Sequence, residues 1–223
     1  MCMDTLLTLD LPGLISALVL GLALILLGGE LGLGFLAVML YFLVLSAMVT
    51  WTGKGRKKRL GLYETSRGWR NVAANGGVPL MMVLFFFANA TYAFVPQGAL
   101  IASYVASVAA ITADKFASEI GVLGGEPIML LTLRRTKRGT SGGVTALGLG
   151  ASLLGSALIA ASVFALPGLH QTGRLFLVVL AAGFVGNLAD SAFGYFEEKG
   201  IGNKYTSNAA CAVVGAIIAV LLA

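Results

Sequence analysis

Charged side chains are scarce in this chain of 223 residues: Asp, Glu, Lys and Arg make up 11% of it, against about 25% of an average soluble domain. Hydrophobic residues make up 58% and fall in several long runs. A chain so poor in charge does not have the composition of an ordinary soluble protein. The long apolar runs instead indicate a polytopic helical membrane protein, and the 30 glycines suit close packing of helices in lipid.

The usual reactive side chains are also rare. His170 is the only histidine, and we interpret it as structural because it lies in a short loop. Cys2 lies at the terminus and Cys211 in an apolar run, so we predict neither a disulfide nor a metal site for them. The amino terminus carries Asp4 and Asp10 without a basic cluster. We therefore expect no cleaved signal peptide, and we expect the first apolar segment to remain as a membrane helix.

Seven apolar segments predict an all-α bundle of about seven membrane spans that forms a single transmembrane domain over residues 1–223. Each is near the roughly 17–25 residues that cross a bilayer. Short breaks between the first two and between the third and fourth predict antiparallel hairpins, and the short fourth helix can continue to Gly121. The segments are Leu11–Gly28, Leu31–Thr50, Val78–Val95, Gly98–Ala113, Val144–Leu166, Arg174–Phe193 and Ser207–Leu222.

Basic residues gather on one side of this predicted bundle. With seven spans, three long polar loops, at about 51–77, 114–143 and 194–206, share one face and hold fourteen of the fifteen Lys and Arg. Only Arg174 falls on the other face. The positive-inside rule then predicts that the amino terminus and the long loops are cytoplasmic, where we expect the chemistry to take place. This topology explains the net charge of +5 without a nucleic-acid partner.

Two aspartates end apolar segments at the same predicted depth, Asp114 after the fourth and Asp190 after the sixth. Ionisable groups at a membrane edge are costly, so a functional role is the default hypothesis. Two such carboxylates can share one cation, and hard oxygen ligands suit Mg²⁺. On a regular helix Ser118 shares a face with Asp114, whereas Glu119 points elsewhere. The alternative is a solvated helix end with an ordinary Lys115–Glu119 pairing.

A basic, glycine-rich stretch from Arg134 to Val144 is the predicted phosphate-binding loop. Four cations lead into a turn of Gly, Thr and Ser and then into the start of a helix. Helix N-termini and flexible glycines bind phosphates, and the order of residues differs from a Walker A motif. The alternative is a topology signal followed by a simple turn.

Two further polar stretches are candidates for phosphate contacts. The first includes Arg70 and a predicted turn at Asn75-Gly76-Gly77. The second runs into the last span and includes Lys204 and Asn208, while its two glutamates, Glu197 and Glu198, are expected to be solvated. The cluster of cations from Lys54 to Arg59 is more simply a membrane anchor or a contact for anionic lipid.

Four motifs together resemble a largely uncharacterised integral-membrane family that includes the plant phytyl-phosphate kinase. The residues Asp114-Lys-Phe-Ala-Ser-Glu-Ile-Gly121 resemble its Asp-Thr-x-Ala-Ser-Glu-x-Gly signature. The other motifs are Asn75-Gly-Gly-Val-Pro79, Gly139-Thr-Ser-Gly-Gly-Val144, and Asp190-Ser191 followed by Gly194. They occur in the family's order, from about Arg56 to the carboxyl terminus. Lys115 stands where the family usually has Thr, and Asn187 replaces a more usual Ser.

The family is distantly similar to polyprenol and phytol kinases and to CTP-using cytidylyltransferases. The resemblance implies a Mg²⁺-dependent membrane phosphotransferase that moves a phosphoryl group from a nucleoside triphosphate, with CTP favoured, to an isoprenoid monophosphate lipid. A cytidylyltransferase or prenol kinase on the same scaffold is one alternative, and an ion or lipid transporter or non-catalytic membrane protein is another. A homodimer is retained as a candidate assembly.

The resemblance and the motifs together give the candidate site residues. Those assigned to catalysis are Asp114, Lys115, Glu119 and Asp190, and the metal ligands among them are Asp114, Glu119 and Asp190. Those assigned to nucleotide or substrate are Arg70, Asn75, Ser118, Arg134, Arg135, Lys137, Arg138, Gly139, Thr140, Ser141, Gly142, Asn187, Ser191, Lys204 and Asn208.

Overall fold

A computed structural model describes residues 9–63, 68–166 and 172–223, so His170 lies outside the described residues. Within them the chain forms eight α-helices, two short 3₁₀ turns and a two-stranded antiparallel sheet. The elements are α1 (Leu11–Leu27), a 3₁₀ turn (Gly29–Leu31), α2 (Gly32–Trp51), α3 (Lys54–Arg59), α4 (Trp69–Tyr92), α5 (Gln97–Gly121), β1 (Ile128–Met129), β2 (Gly143–Val144), α6 (Ala146–Ala160), a 3₁₀ turn (Ala161–Phe164), α7 (Thr172–Glu197) and α8 (Lys204–Leu222).

The helices have the lengths of membrane spans. Six of them, α2 and α4 to α8, are long and apolar enough to cross a bilayer when the adjoining 3₁₀ turns are counted, and α1 is a shorter apolar helix. The prediction of an all-α transmembrane bundle with about seven spans is confirmed. Many large apolar side chains on the outer helices are exposed, as expected for a lipid-facing surface.

Helix α5 is the centre of the bundle. Every residue from Ala99 to Ala113 is buried, and the helix contacts α2, α4, α6, α7 and α8. Its neighbours approach closely because small residues face one another at the contacts. A Cβ atom at Gly186 of α7 would lie 2.6 Å from Ala110 Cβ, and one at Gly215 of α8 would lie 2.9 Å from the carbonyl oxygen of Ala106. The middle of α7 and the middle of α8 are thereby held against the middle of α5.

Several helices extend into stretches that were predicted as loops. Helix α5 continues to Gly121, as the sequence allows, so the second long loop begins after residue 121 rather than at 114. Helix α4 begins at Trp69, and the prediction of a turn at Asn75-Gly76-Gly77 is wrong. Gly76 is buried there against Leu20 of α1, and the Asn75 amide donates to the carbonyl of Asn71 one turn earlier. Tertiary packing outweighs the local turn preference of these residues.

The loop between α5 and α6 contains a small sheet that the sequence did not indicate. Strand β1 pairs with β2 in antiparallel register, with Ile128 opposite Val144 and Met129 opposite Gly143. Backbone hydrogen bonds within the loop join Leu130 N–H to Gly142 O at 3.1 Å and Met129 N–H to Arg134 O at 2.8 Å. These bonds give the glycine-rich segment a defined path over the ends of the helices.

Candidate functional site

Two carboxyl groups from different helices meet at one end of the bundle. Asp114 of α5 and Asp190 of α7 lie close enough for a side-chain hydrogen bond, and Asp190 is also within reach of the side chain of Ser207 of α8. The close packing of α7 and α8 on α5 produces this juxtaposition. Two ionised carboxylates in contact repel strongly, so the pair requires a proton or a nearby positive charge.

The carboxyl pair lines a cavity of about 330 Å³ between the C-terminal parts of α5 and α7, the starts of α6 and α8, and the glycine-rich loop. Twelve predicted site residues contribute to its wall, so the structure brings most of the sequence motifs together. They are Asp114, Ser118, Arg138, Gly139, Thr140, Ser141, Gly142, Asn187, Asp190, Ser191, Lys204 and Asn208.

The glycine-rich loop, residues 138–143, is fixed to the end of α7 by close packing and by two carboxylates. A Cβ atom at Gly194 would lie 2.3 Å from the backbone nitrogen of Gly142, so only glycine allows this approach. The Ser141 N–H donates to Glu198 Oε1 at 2.9 Å, and the Ser141 hydroxyl donates to Glu197 Oε2 at 2.8 Å.

The expectation of a solvated side chain is wrong for Glu197, which is partly buried and has one oxygen enclosed in the cavity wall. Glu198 is exposed, as expected, although it also binds the loop and lines the cavity. The sequence gave no indication of these contacts, because Glu197 and Glu198 lie more than fifty residues from the loop that they bind.

Two helix starts complete the wall. Thr145 caps α6 by accepting a hydrogen bond from Gly148 N–H at 3.0 Å, and its hydroxyl donates to the Gly121 carbonyl at the end of α5 at 3.2 Å. At α8 the Asn203 side chain accepts hydrogen bonds from the first turn, and Lys204 follows it at the cavity. The N-terminal end of a helix carries a partial positive charge that favours anions. Arg138, Lys204 and the two helix starts thus place positive charge in the cavity wall opposite its carboxyl groups.

The acceptors in the cavity fit a hard divalent cation. Buried oxygens without a hydrogen-bond partner occur in the described residues at Asp190 Oδ1, Asn187 Oδ1 and Glu197 Oε1, all three in the cavity wall. The described chain contains no group of three or more His, Cys, Asp and Glu placed to hold a metal. Mg²⁺ is typically bound by one or two carboxylates with substrate phosphates and water, so the donor set at Asp114 and Asp190 suits it.

Glu119 belongs to a different cluster, and its assignment as a metal ligand beside Asp114 does not agree with the geometry. It lies outside the cavity wall and forms ion pairs with Lys57, at 2.6 Å, and with Lys115. The fully buried Lys57 also donates to the Thr50 carbonyl at 2.6 Å, at the end of α2. Because α5 remains a regular helix, Glu119 points away from Asp114. Lys115 is likewise absent from the cavity wall and contacts Glu119, so the geometry does not group it with Asp114 and Asp190 as a catalytic residue.

Several other predicted contacts also lie outside the cavity wall. Arg135 is an exposed partner of Glu126, and the exposed Arg70 stacks on Trp69. Asn75 reaches the wall indirectly, because its Oδ1 accepts a hydrogen bond from Asn208 Nδ2 at 3.1 Å. The predicted binding residues that do not line the cavity are Arg70, Asn75, Arg134, Arg135 and Lys137.

Comparison with known proteins places the chain in a family. The profile of the family described as integral membrane protein DUF92 matches residues 5–220, so the chain belongs to this family. An uncharacterised membrane protein of Methanocaldococcus jannaschii is 34% identical over 216 residues, which cover 96% of this chain and 85% of that protein. Protein PGR of Arabidopsis thaliana is 27% identical over 186 residues, which cover 73% of this chain and 64% of that protein. No solved structure matches the chain.

Proposed function

We propose that this member of the DUF92 integral membrane family is a Mg²⁺-dependent phosphotransferase. It would transfer the γ-phosphoryl group of a nucleoside triphosphate, with CTP favoured, to an isoprenoid monophosphate. The observation that carries the proposal is the contact between Asp114 and Asp190 in a cavity whose facing wall is the loop 138–143. Acidic oxygens for a cation and basic or amide groups for phosphates thus occur in one space.

The reaction needs little covalent participation by the protein. A phosphate oxygen of the acceptor attacks Pγ, a new P–O bond forms, the bond between Pγ and the β-phosphate oxygen breaks, and the nucleoside diphosphate leaves. Catalysis of such transfers comes mainly from positioning and charge neutralisation. The absence of a nucleophile triad and of a His general base among the motifs is therefore compatible with this chemistry.

Each part of the cavity wall has a role in this proposal. Asp114 and Asp190 would hold Mg²⁺, which when bound neutralises the oxygens of the transferring phosphates. Arg138, Lys204 and the start of α8 would stabilise the remaining phosphate charge. The isoprenoid chain would stay among the apolar helices while its phosphate enters the cavity.

The test uses the purified full chain in nanodiscs with Mg²⁺, a set of prenyl monophosphates and either γ- or α-labelled CTP, ATP or GTP. Label from the γ-phosphate in a prenyl diphosphate supports the proposal. Label from the α-phosphate in the lipid, with release of pyrophosphate, identifies cytidylyl transfer and contradicts it, as does no transfer with any pair.

The variants for this assay are Asp114→Asn and Asp190→Asn, each of which should abolish product. Asp10→Asn is a matched control, because Asp10 lies outside the cavity wall and caps α1 through Gly13 N–H at 2.7 Å, and Asn caps helices about as well as Asp. Product formation by Asp190→Asn at the wild-type rate would count against the proposed role of the pair.

A further inference from the structure

One helix contributes all of the unsatisfied buried acceptors of the described side chains. Asn187, Asp190 and Glu197 lie on α7 and line the same cavity, and each has one buried oxygen without a hydrogen-bond partner. An unsatisfied buried polar atom costs on the order of 1–3 kcal/mol. Three acceptors and no donor in this state call for a partner that donates hydrogen bonds or carries positive charge.

Asn187 is the most deeply buried of the three, with 1% of its surface exposed. Its Nδ2 donates to the hydroxyl oxygen of Ser152 of α6 at 2.8 Å. Ser152 is itself fully buried. In this orientation of the amide, its carbonyl oxygen is the group without a partner in the cavity wall.

The spacing along α7 separates the three acceptors into two groups. Asn187 precedes Asp190 by three residues, which places them on one face about 4.5 Å apart along the axis. Glu197 lies seven residues further, about 10 Å along the axis. Ligands of one Mg²⁺ each lie at about 2.1 Å from it, so one ion can bind Asn187 and Asp190 together but cannot also bind Glu197.

We propose that Asn187 Oδ1 is a third protein ligand of the cation at Asp114 and Asp190, and that Ser152 is the positioning residue that directs this carbonyl. Amide carbonyls are suitable oxygen ligands for hard cations. The proposal rests on the cation requirement of the proposed function. It assigns Asn187 to the metal rather than to the nucleotide or substrate.

The test measures binding of Mn²⁺ alone, by electron paramagnetic resonance, to the full-length protein in nanodiscs without nucleotide or lipid. Ser152→Ala should weaken Mn²⁺ binding about tenfold, as is typical for the partner that orients a ligand. Asn187→Leu should weaken it at least as much. Asn187→Asp should bind Mn²⁺ as tightly as the wild type or more tightly, since it presents an oxygen at the same place with added negative charge.

The Asn187→Leu variant separates this proposal from the opposite orientation of the amide. If the amide N–H groups instead donated to the two aspartates, their removal would leave these carboxylates free for the cation, and Mn²⁺ binding would not fall. Wild-type or tighter Mn²⁺ binding in Asn187→Leu therefore overturns the proposal, and so does loss of binding in Asn187→Asp. Thermal unfolding confirms that each variant is folded.

Ser156→Ala is the matched control for Ser152→Ala. Ser156 is also fully buried on α6, but it donates to the Leu180 carbonyl at 2.9 Å and does not line the cavity. Its removal should leave Mn²⁺ affinity unchanged, and an equal loss in both variants would overturn the role of Ser152. If the protein binds Mn²⁺ through Asn187 but has no transferase activity, the proposed function is contradicted and the present inference is not. A wild-type protein that binds no Mn²⁺ would overturn the present inference.

Discussion

Helix α5 carries two acidic residues, five positions apart, whose surroundings differ in charge. Glu119 faces two ammonium groups, from Lys57 and Lys115. Asp114 faces the cavity and a second carboxyl group, that of Asp190. In the first cluster the protein supplies more positive than negative charge, whereas in the second two acids meet. The comparison separates a buried ion pair from a pair of acids that we propose to hold a cation.

The largest expected effect is on activity at the acidic pair. Asp190→Asn should reduce phosphoryl transfer by about a thousandfold, as removal of a key electrostatic group does in other active sites. The free energy of unfolding should not fall, because the change relieves repulsion with Asp114. Parallel measurement of transfer rate and denaturant unfolding checks both statements. A large loss of stability in Asp190→Asn would show that the two aspartates stabilise the fold, as Glu119 and Lys57 do, and would contradict the comparison.

The second effect is on stability at the other cluster. Glu119→Gln leaves the buried Lys57 without its closest carboxylate, and breaking a buried ion pair in this way costs about 3 kcal/mol. The double change with Lys57→Met should recover most of the loss, which a double-mutant cycle of unfolding free energies measures.

Glu126→Gln is the control for this cycle. Its partner Arg135 is 84% exposed, and an exposed pair contributes at most about 1 kcal/mol. Equal effects of Glu119→Gln and Glu126→Gln would show that burial of Lys57 adds nothing to the pair.

The membrane class and the approximate number of spans could be predicted from the sequence, because long apolar runs are the main signal for both. Sequence reasoning also placed Asp114 and Asp190 in one site, from their equal depth at the ends of two spans. It assigned Glu119 and Lys115 to that site because a motif groups neighbours in sequence, whereas a helix turns them to different faces. Lys57 was grouped with the surface cations, since nothing local distinguishes the one lysine of α3 that another helix buries.

The third effect concerns the closeness of α7 to the glycine-rich loop. Gly194→Ala puts a methyl group on the backbone of Gly142, so the loop must shift, and a misplacement of about 1 Å can cost up to a hundredfold in rate. We expect about a tenfold loss of kcat/KM for the nucleotide. Gly173→Ala, on the same helix but with open space around it, should leave kinetics unchanged. Equal kinetics of the two variants would show that the loop is not part of the site.

The smallest expected effect is at Glu198, and its direction decides how the loop works. The Glu198 carboxylate accepts the Ser141 N–H, and a bond to a charged acceptor exceeds one to a neutral acceptor by roughly 0.5–1 kcal/mol. Glu198→Gln keeps an acceptor but loses this increment, so the loop is held less firmly and the KM for nucleotide should rise about threefold. If KM falls instead, the carboxylate competes with phosphate for the Ser141 N–H. Glu198 would then act like Asp190, as a carboxylate that faces the substrate, and unlike Glu119, which stabilises the fold.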